Sequence, residues 1–172
     1  KQAISVLMEV LEDSSQEPMV RHEAAEALGA IGSPDVMEIL QKYLKDPVIE
    51  VAETCELALE RIKWLQDPNR QKEQLSTNPY ASVDPAPPAV FTDVAILKAI
   101  LLNENASLFE RYRAMFALRN LQSNVAVLAL GAALKCGSAL FRHEIAFVLG
   151  QLQDEASVPF LKESLEDCNE NE

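Results

Sequence analysis

Apolar residues recur along this chain at helical spacing, and no long run alternates as a half-buried strand would. The pattern predicts helices over about 2–13, 19–31, 35–45 and 48–65, and again over 92–103, 107–121, 124–135, 139–152 and 156–167. Breakers separate them: Pro18, Gly32-Ser33-Pro34, Asp46-Pro47 and Gly137-Ser138. Ser33 before Pro34 suits a helix start, because a Ser side chain can cap exposed N–H groups and Pro fits the first turn. Between Gln66 and Val90 the prolines Pro68, Pro79, Pro85, Pro87 and Pro88 interrupt the pattern. That stretch reads as an extended linker rather than a helix, with Tyr80, Val83 and Phe91 placed to pin it to a surface. The expected organisation is N-terminal helical repeats over 1–65, a linker over 66–91 and C-terminal helical repeats over 92–172.

Short helices joined by tight turns suggest internal repetition, and the sequence has it. Arg142-His143-Glu144-Ile145-Ala146-Phe147-Val148-Leu149-Gly150 resembles Arg21-His22-Glu23-Ala24-Ala25-Glu26-Ala27-Leu28-Gly29. A shift of about 31 residues back from the first, or on from the second, reaches further segments of the same apolar pattern, both ending on Ala-Leu. A period in the low thirties with two helices per unit marks a short HEAT-like repeat, so the expected fold is all-α, an α-solenoid in two halves. Glu53-Thr54 and Tyr112-Arg113 stand where the other two repeats carry His-Glu.

At about 100° per residue, Val20, Ala24, Ala27, Leu28 and Ile31 form one apolar stripe, with His22 opposite and Glu23 on the flank. Phe141, Ile145, Val148, Leu149 and Leu152 form the matching stripe, with His143 opposite. A satisfied core histidine is therefore a poor reading of either. An ordinary solvated face remains open for each helix taken alone. Against it, the chain has two His in all, both in Arg-His-Glu at equivalent places. Small neighbours (Ala25, Gly29, Ala146, Gly150) also leave room for something to approach.

Composition narrows the choices. The net charge of -12 disfavours nucleic acid and suits a basic protein partner or cationic substrate. Cys55, Cys136 and Cys168 are odd in number, widely spaced and without a C-x-x-C, which predicts reduced thiols in a cytoplasmic or nuclear setting. No apolar run reaches the length of a membrane span. No phosphate-binding Gly loop or nucleophile–base relay is visible. Residues 166–172 read as a frayed end. Imidazole with carboxylate suits a divalent transition metal such as iron, but no single helix supplies two His and a carboxylate, so a neighbouring repeat would have to complete any site.

The segments 17–32, 46–55, 80–88, 108–120 and 136–144 closely resemble deoxyhypusine hydroxylase, and together they extend the resemblance over nearly the whole chain. That family is a HEAT-repeat dyad of two halves joined by a linker, with four His-Glu motifs and two irons. It uses molecular oxygen to hydroxylate the deoxyhypusine side chain of translation initiation factor five-A, completing hypusine. The resemblance implies that His22 and Glu23 bind iron, that His143 binds the other iron, and that Glu144 holds the substrate's amino group. A carboxylate is a fitting partner for that cationic tail. The repeat period places the family's other two motifs before Lys1 and after Glu172. The chain is thus expected to be a central fragment that alone binds iron weakly or not at all and is inactive. The uncapped repeat ends favour a homodimer. The competing expectation is a HEAT-repeat protein-binding scaffold without catalysis.

Overall fold

The computed structural model describes residues 2–170, and among them every regular element is helical. The chain divides into two compact units, Lys1–Glu73 with Val83–Ala86, and Gln74–Ser82 with Pro87–Glu172. The Pro-rich stretch is thus shared between them.

Unit 1 contains α1 (Gln2–Glu12), α2 (Pro18–Ile31), α3 (Met37–Lys42) and α4 (Ile49–Gln66), with 3₁₀ turns before and after α3. Pro18 opens α2, where its missing N–H costs nothing. Gly32 closes the helix in the left-handed region (φ 72°), and its N–H caps the Leu28 carbonyl. Leu11, Leu28, Val36, Leu40, Val51, Cys55 and Ile62 are fully buried between the four helices. Each such aliphatic side chain contributes about 1.5–3 kcal/mol of transfer free energy. Burial raises the Cys55 thiol to about 12, so this cysteine is an inert core residue.

The buried face of α2 differs from the stripe read in the sequence. Val20 and Ile31 are about half exposed, whereas Arg21, His22, Ala24, Ala25, Leu28 and Gly29 are buried. The reason is that α2 packs on both α1 and α4. The α4 side uses small residues for close approach: a Cβ on Gly29 would stand 2.8 Å from the Ala58 Cβ. A reading weighted toward large apolar residues passes over that side.

Arg21 ties three segments of unit 1 together. Its Nε donates to the Leu11 carbonyl at the end of α1 (3.0 Å), and its two Nη atoms fork onto Asp46 (3.2 and 2.5 Å). Both side chains of the pair are almost fully buried. Burial pushes the Asp46 carboxyl up, but the Arg21 hydrogen bonds and charge and the Val48 N–H outweigh it and hold the carboxyl below its ordinary value. A depressed folded-state pKa contributes stability present above the unfolded value of about 3.9 and lost as pH falls through the folded one. Asp46→Ala should therefore destabilise unit 1 by about 3 kcal/mol at neutral pH, because it leaves a buried guanidinium without its carboxylate. The difference from wild type should shrink in melts recorded below about pH 4. A pH-independent difference would contradict this reading of the pair.

Unit 2 contains α5 (Val94–Leu102), α6 (Leu108–Leu121), α7 (Asn124–Ala132), α8 (Ala139–Leu152) and α9 (Val158–Glu166). Its helix starts are capped: Asp93 accepts from the Ala95 and Ile96 N–H groups, and Ser107, Ser123 and Ser138 accept from those of Glu110, Ala126 and Phe141. Here the apolar stripe of α8 is the one expected, with Phe141, Ile145, Val148 and Leu149 fully buried and Leu152 half-buried.

In the Pro-rich stretch Tyr80 is anchored, with Arg119 over its ring and Gln122 donating to its hydroxyl (3.3 Å). Val83 and Phe91 are instead exposed, and the buried positions are 86–89. A 3₁₀ turn, Arg70–Lys72, also interrupts the expected extended path. The C-terminal turn is pinned rather than frayed as far as Glu170, which accepts the Arg142 guanidinium. Lys1, Asn171 and Glu172 lie outside the described residues. No helix among the described residues is long and apolar enough to cross a membrane.

Candidate metal centre

His22 lies on α2 at the rim of the face covered by α4, and it is buried rather than turned to solvent. Its Nδ1 sits 2.5 Å from the Thr54 hydroxyl oxygen on α4. Thr54, itself buried, lies 2.7 Å from the Glu50 carbonyl one turn back. That carbonyl can only accept, so it takes the single hydroxyl proton. Thr54 Oγ1 is then the acceptor for His22, which assigns the ring proton to Nδ1. In the neutral imidazole this leaves Nε2 as the lone-pair nitrogen. A metal-binding histidine is commonly oriented in this way, by a hydrogen bond at its other nitrogen.

The lone-pair side faces carboxylates. Nε2 is 4.0 Å from Glu23 Oε1 and 3.8 Å from Glu26 Oε2. Glu23 is exposed and Glu26 is about two-thirds buried. Burial first, then the neighbouring charges of Glu23 and Asp84, push the Glu26 carboxyl above its ordinary value. Asp84 arrives from the Pro-rich stretch as part of unit 1. Arg61 stands near it with its own pKa lowered by burial. A cation would relieve this acidic crowding. Donor atoms about 3–4 Å apart can share one metal at bond lengths of about 2.1 Å, so the donor set fits a transition metal in part. Among the described residues no group of three or more His, Cys, Asp or Glu is ready-made to hold a metal ion.

In unit 2, His143 is exposed on α8 and Glu144 is half-buried beside it. Within unit 2, among the described residues, the face that carries His143, Ala146 and Gly150 lacks the close helix contact seen on the matching face of α2: a Cβ on Gly150 would meet nothing within 4 Å. The same Arg-His-Glu triplet therefore stands in two surroundings, one packed and one open.

Three side chains of the centre escape a motif reading: Thr54, Glu26 and Asp84. Thr54 had a signal, since Glu53-Thr54 occupies the His-Glu register one repeat on. Glu26 shares the His22 side of α2 in any helical projection. Asp84 has no local signal, because its place depends on how the Pro-rich stretch folds back.

The profile for HEAT repeats matches residues 1–60, and that for the PBS lyase HEAT-like repeat matches 110–136 and 141–167. Deoxyhypusine hydroxylase from chicken (Gallus gallus) is 62% identical over 98% of this chain and 56% of its own length. The human (Homo sapiens) protein of that name is 60% identical over 98% of the chain and 55% of its own. The solved structure of human deoxyhypusine hydroxylase in complex with glycerol superposes with a TM-score of 0.91, covering 99% of this chain and 58% of that one. The chain belongs to the deoxyhypusine hydroxylase family. It spans a little over half the length of the curated deoxyhypusine hydroxylases it matches. The HEAT-repeat matches fall in both units of the chain.

Proposed function

We propose that this chain serves deoxyhypusine hydroxylation, with His22 and Glu23 as ligands of one iron, His143 as a ligand of another, and Glu144 as the group that holds the substrate amine. The substrate is the deoxyhypusine side chain of translation initiation factor five-A, the co-substrate is molecular oxygen, and the setting is the cytoplasm. When bound, iron supplies the oxygen-activating redox chemistry that no side chain here possesses.

The observation that carries the reading is the hydrogen-bond chain Glu50 carbonyl, Thr54 hydroxyl, His22 Nδ1, which leaves Nε2 as the lone pair beside two carboxylates. A solenoid that only displays a binding face gains nothing from fixing that tautomer. Thr54 orients the ring, and the carboxylates of Glu23 and Glu26 favour a cation at Nε2. Glu144 would pair with the protonated amine of the substrate tail, a charge-assisted contact that positions the chain to be hydroxylated.

The test replaces the matching segment of chicken deoxyhypusine hydroxylase by these residues and assays deoxyhypusine hydroxylation. The chimera should turn over. His143→Ala and Glu144→Gln should each lower kcat/KM by on the order of 100-fold, the first with loss of bound iron and the second without. A folded chimera in which both variants hydroxylate normally would favour the non-catalytic scaffold.

A further inference from the structure

Arg21, Arg111 and Arg142 occupy equivalent places in three repeats, but only two of them face a carboxylate. Arg21 forks onto Asp46, and Arg142 forks onto Glu170. Arg111 is anchored as Arg21 is: its Nε donates to the Leu101 carbonyl (2.9 Å), ten residues back, as Arg21 Nε donates to Leu11. It is 5% exposed, and its Nη2 is buried with no hydrogen-bond partner. Its guanidinium stacks on the Phe141 ring, 3.9 Å from the centroid, which fixes its plane without neutralising its charge.

The residue in the Asp46 register is Cys136. Asp46 closes the 3₁₀ turn Tyr43–Lys45, its N–H donating to the Tyr43 carbonyl (3.1 Å). Cys136 closes the turn Ala133–Lys135, its N–H donating to the Ala133 carbonyl (3.1 Å). The Arg111 fork reaches this turn. A Cβ built on Gly137, the next residue, would lie 3.2 and 3.3 Å from its Nη atoms. The nearby Glu104 carboxylate is engaged by the Gly137 N–H (3.2 Å) and forms no ion pair with Arg111. Cys136 is a free thiol and partly exposed, so a small reagent can reach it.

We propose that Cys136 is a peroxide-oxidation site, whose oxidised sulfur anion takes the place beside Arg111 that the Asp46 carboxylate takes beside Arg21. The thiolate attacks one oxygen of hydrogen peroxide, the S–O bond forms and the O–O bond breaks. Sulfur loses two electrons, and the departing hydroxide takes the sulfenic proton to leave sulfenate and water. A second peroxide converts sulfenate to sulfinate and a second water. Sulfinate presents two oxygens to the guanidinium fork, as a carboxylate does. The buried cation favours the anionic products, sulfenate and sulfinate, over the neutral thiol.

The whole chain would be exposed to hydrogen peroxide, and sulfenic and sulfinic products read at each cysteine by peptide mass and dimedone labelling. Cys136 should react at least about fivefold faster than the exposed Cys168, with the core residue Cys55 unreactive. Arg111→Met should erase that excess and leave Cys168 unchanged. Independently of whether that variant folds, Cys136→Asp should raise the Tm by completing the missing pair. Oxidation of Cys136 no faster than Cys168, an excess that survives in folded Arg111→Met, or a Tm lowered by Cys136→Asp would each overturn the proposal.

Discussion

Thr54→Val in the chicken chimera should weaken iron binding by about 10–100-fold while leaving the helices folded. Val has nearly the shape of Thr, so the packing of α4 against α2 is retained. What disappears is the acceptor for His22 Nδ1–H at a position that is 3% exposed. The ring then either buries an unmet N–H, at a cost of about 1–3 kcal/mol, or moves its proton to Nε2 and loses the lone pair that faces Glu23 and Glu26. Either route penalises the metal-bound state. Thr54→Ser keeps the oxygen and should bind iron nearly as the parent does. Anaerobic Fe(II) titration of the three proteins decides the point, and equal affinity in all three would remove Thr54 from the centre.

Opposite results at two equivalent glycines should follow from their surroundings. Gly29→Ala should destabilise the chain by about 1–3 kcal/mol, because the new Cβ would lie 2.8 Å from the Ala58 Cβ and 2.9 Å from its Cα. The second of these is backbone and cannot swing aside, so α2 and α4 must separate. Gly150→Ala meets nothing within 4 Å on α8 and should stabilise by about 0.5–1 kcal/mol through helix propensity alone. Denaturant melts of the two variants give the comparison. If both shift stability in the same direction, the close α2–α4 contact is not as described.

The contrast between these helices also marks what a sequence can disclose. Helix positions were legible because apolar spacing and the Pro and Gly breakers agree, and the buried stripe of α8 followed from them. On α2 the same reasoning turned the buried face toward Val20 and Ile31, since Ala25 and Gly29 carry too little apolar surface to register. Their smallness is what admits α4, and α4 is what buries His22. Both His-Glu pairs stood out by repetition, yet the surroundings of each depend on whether another helix covers that side. The Thr54 contact needs the α2–α4 register, and the approach of Asp84 needs the path of the Pro-rich stretch. Neither is encoded in local spacing.

In the proposed centre, unit 1 holds His22 with its proton on Nδ1, which leaves Nε2 for a metal. The chain has two histidines, so ¹⁵N-labelled imidazole signals are few and His143→Ala assigns them. Long-range ¹H–¹⁵N correlation at mildly alkaline pH should show His22 as the Nδ1–H tautomer with an unprotonated Nε2. A proton found on Nε2 would contradict this placement and remove His22 from the proposed centre.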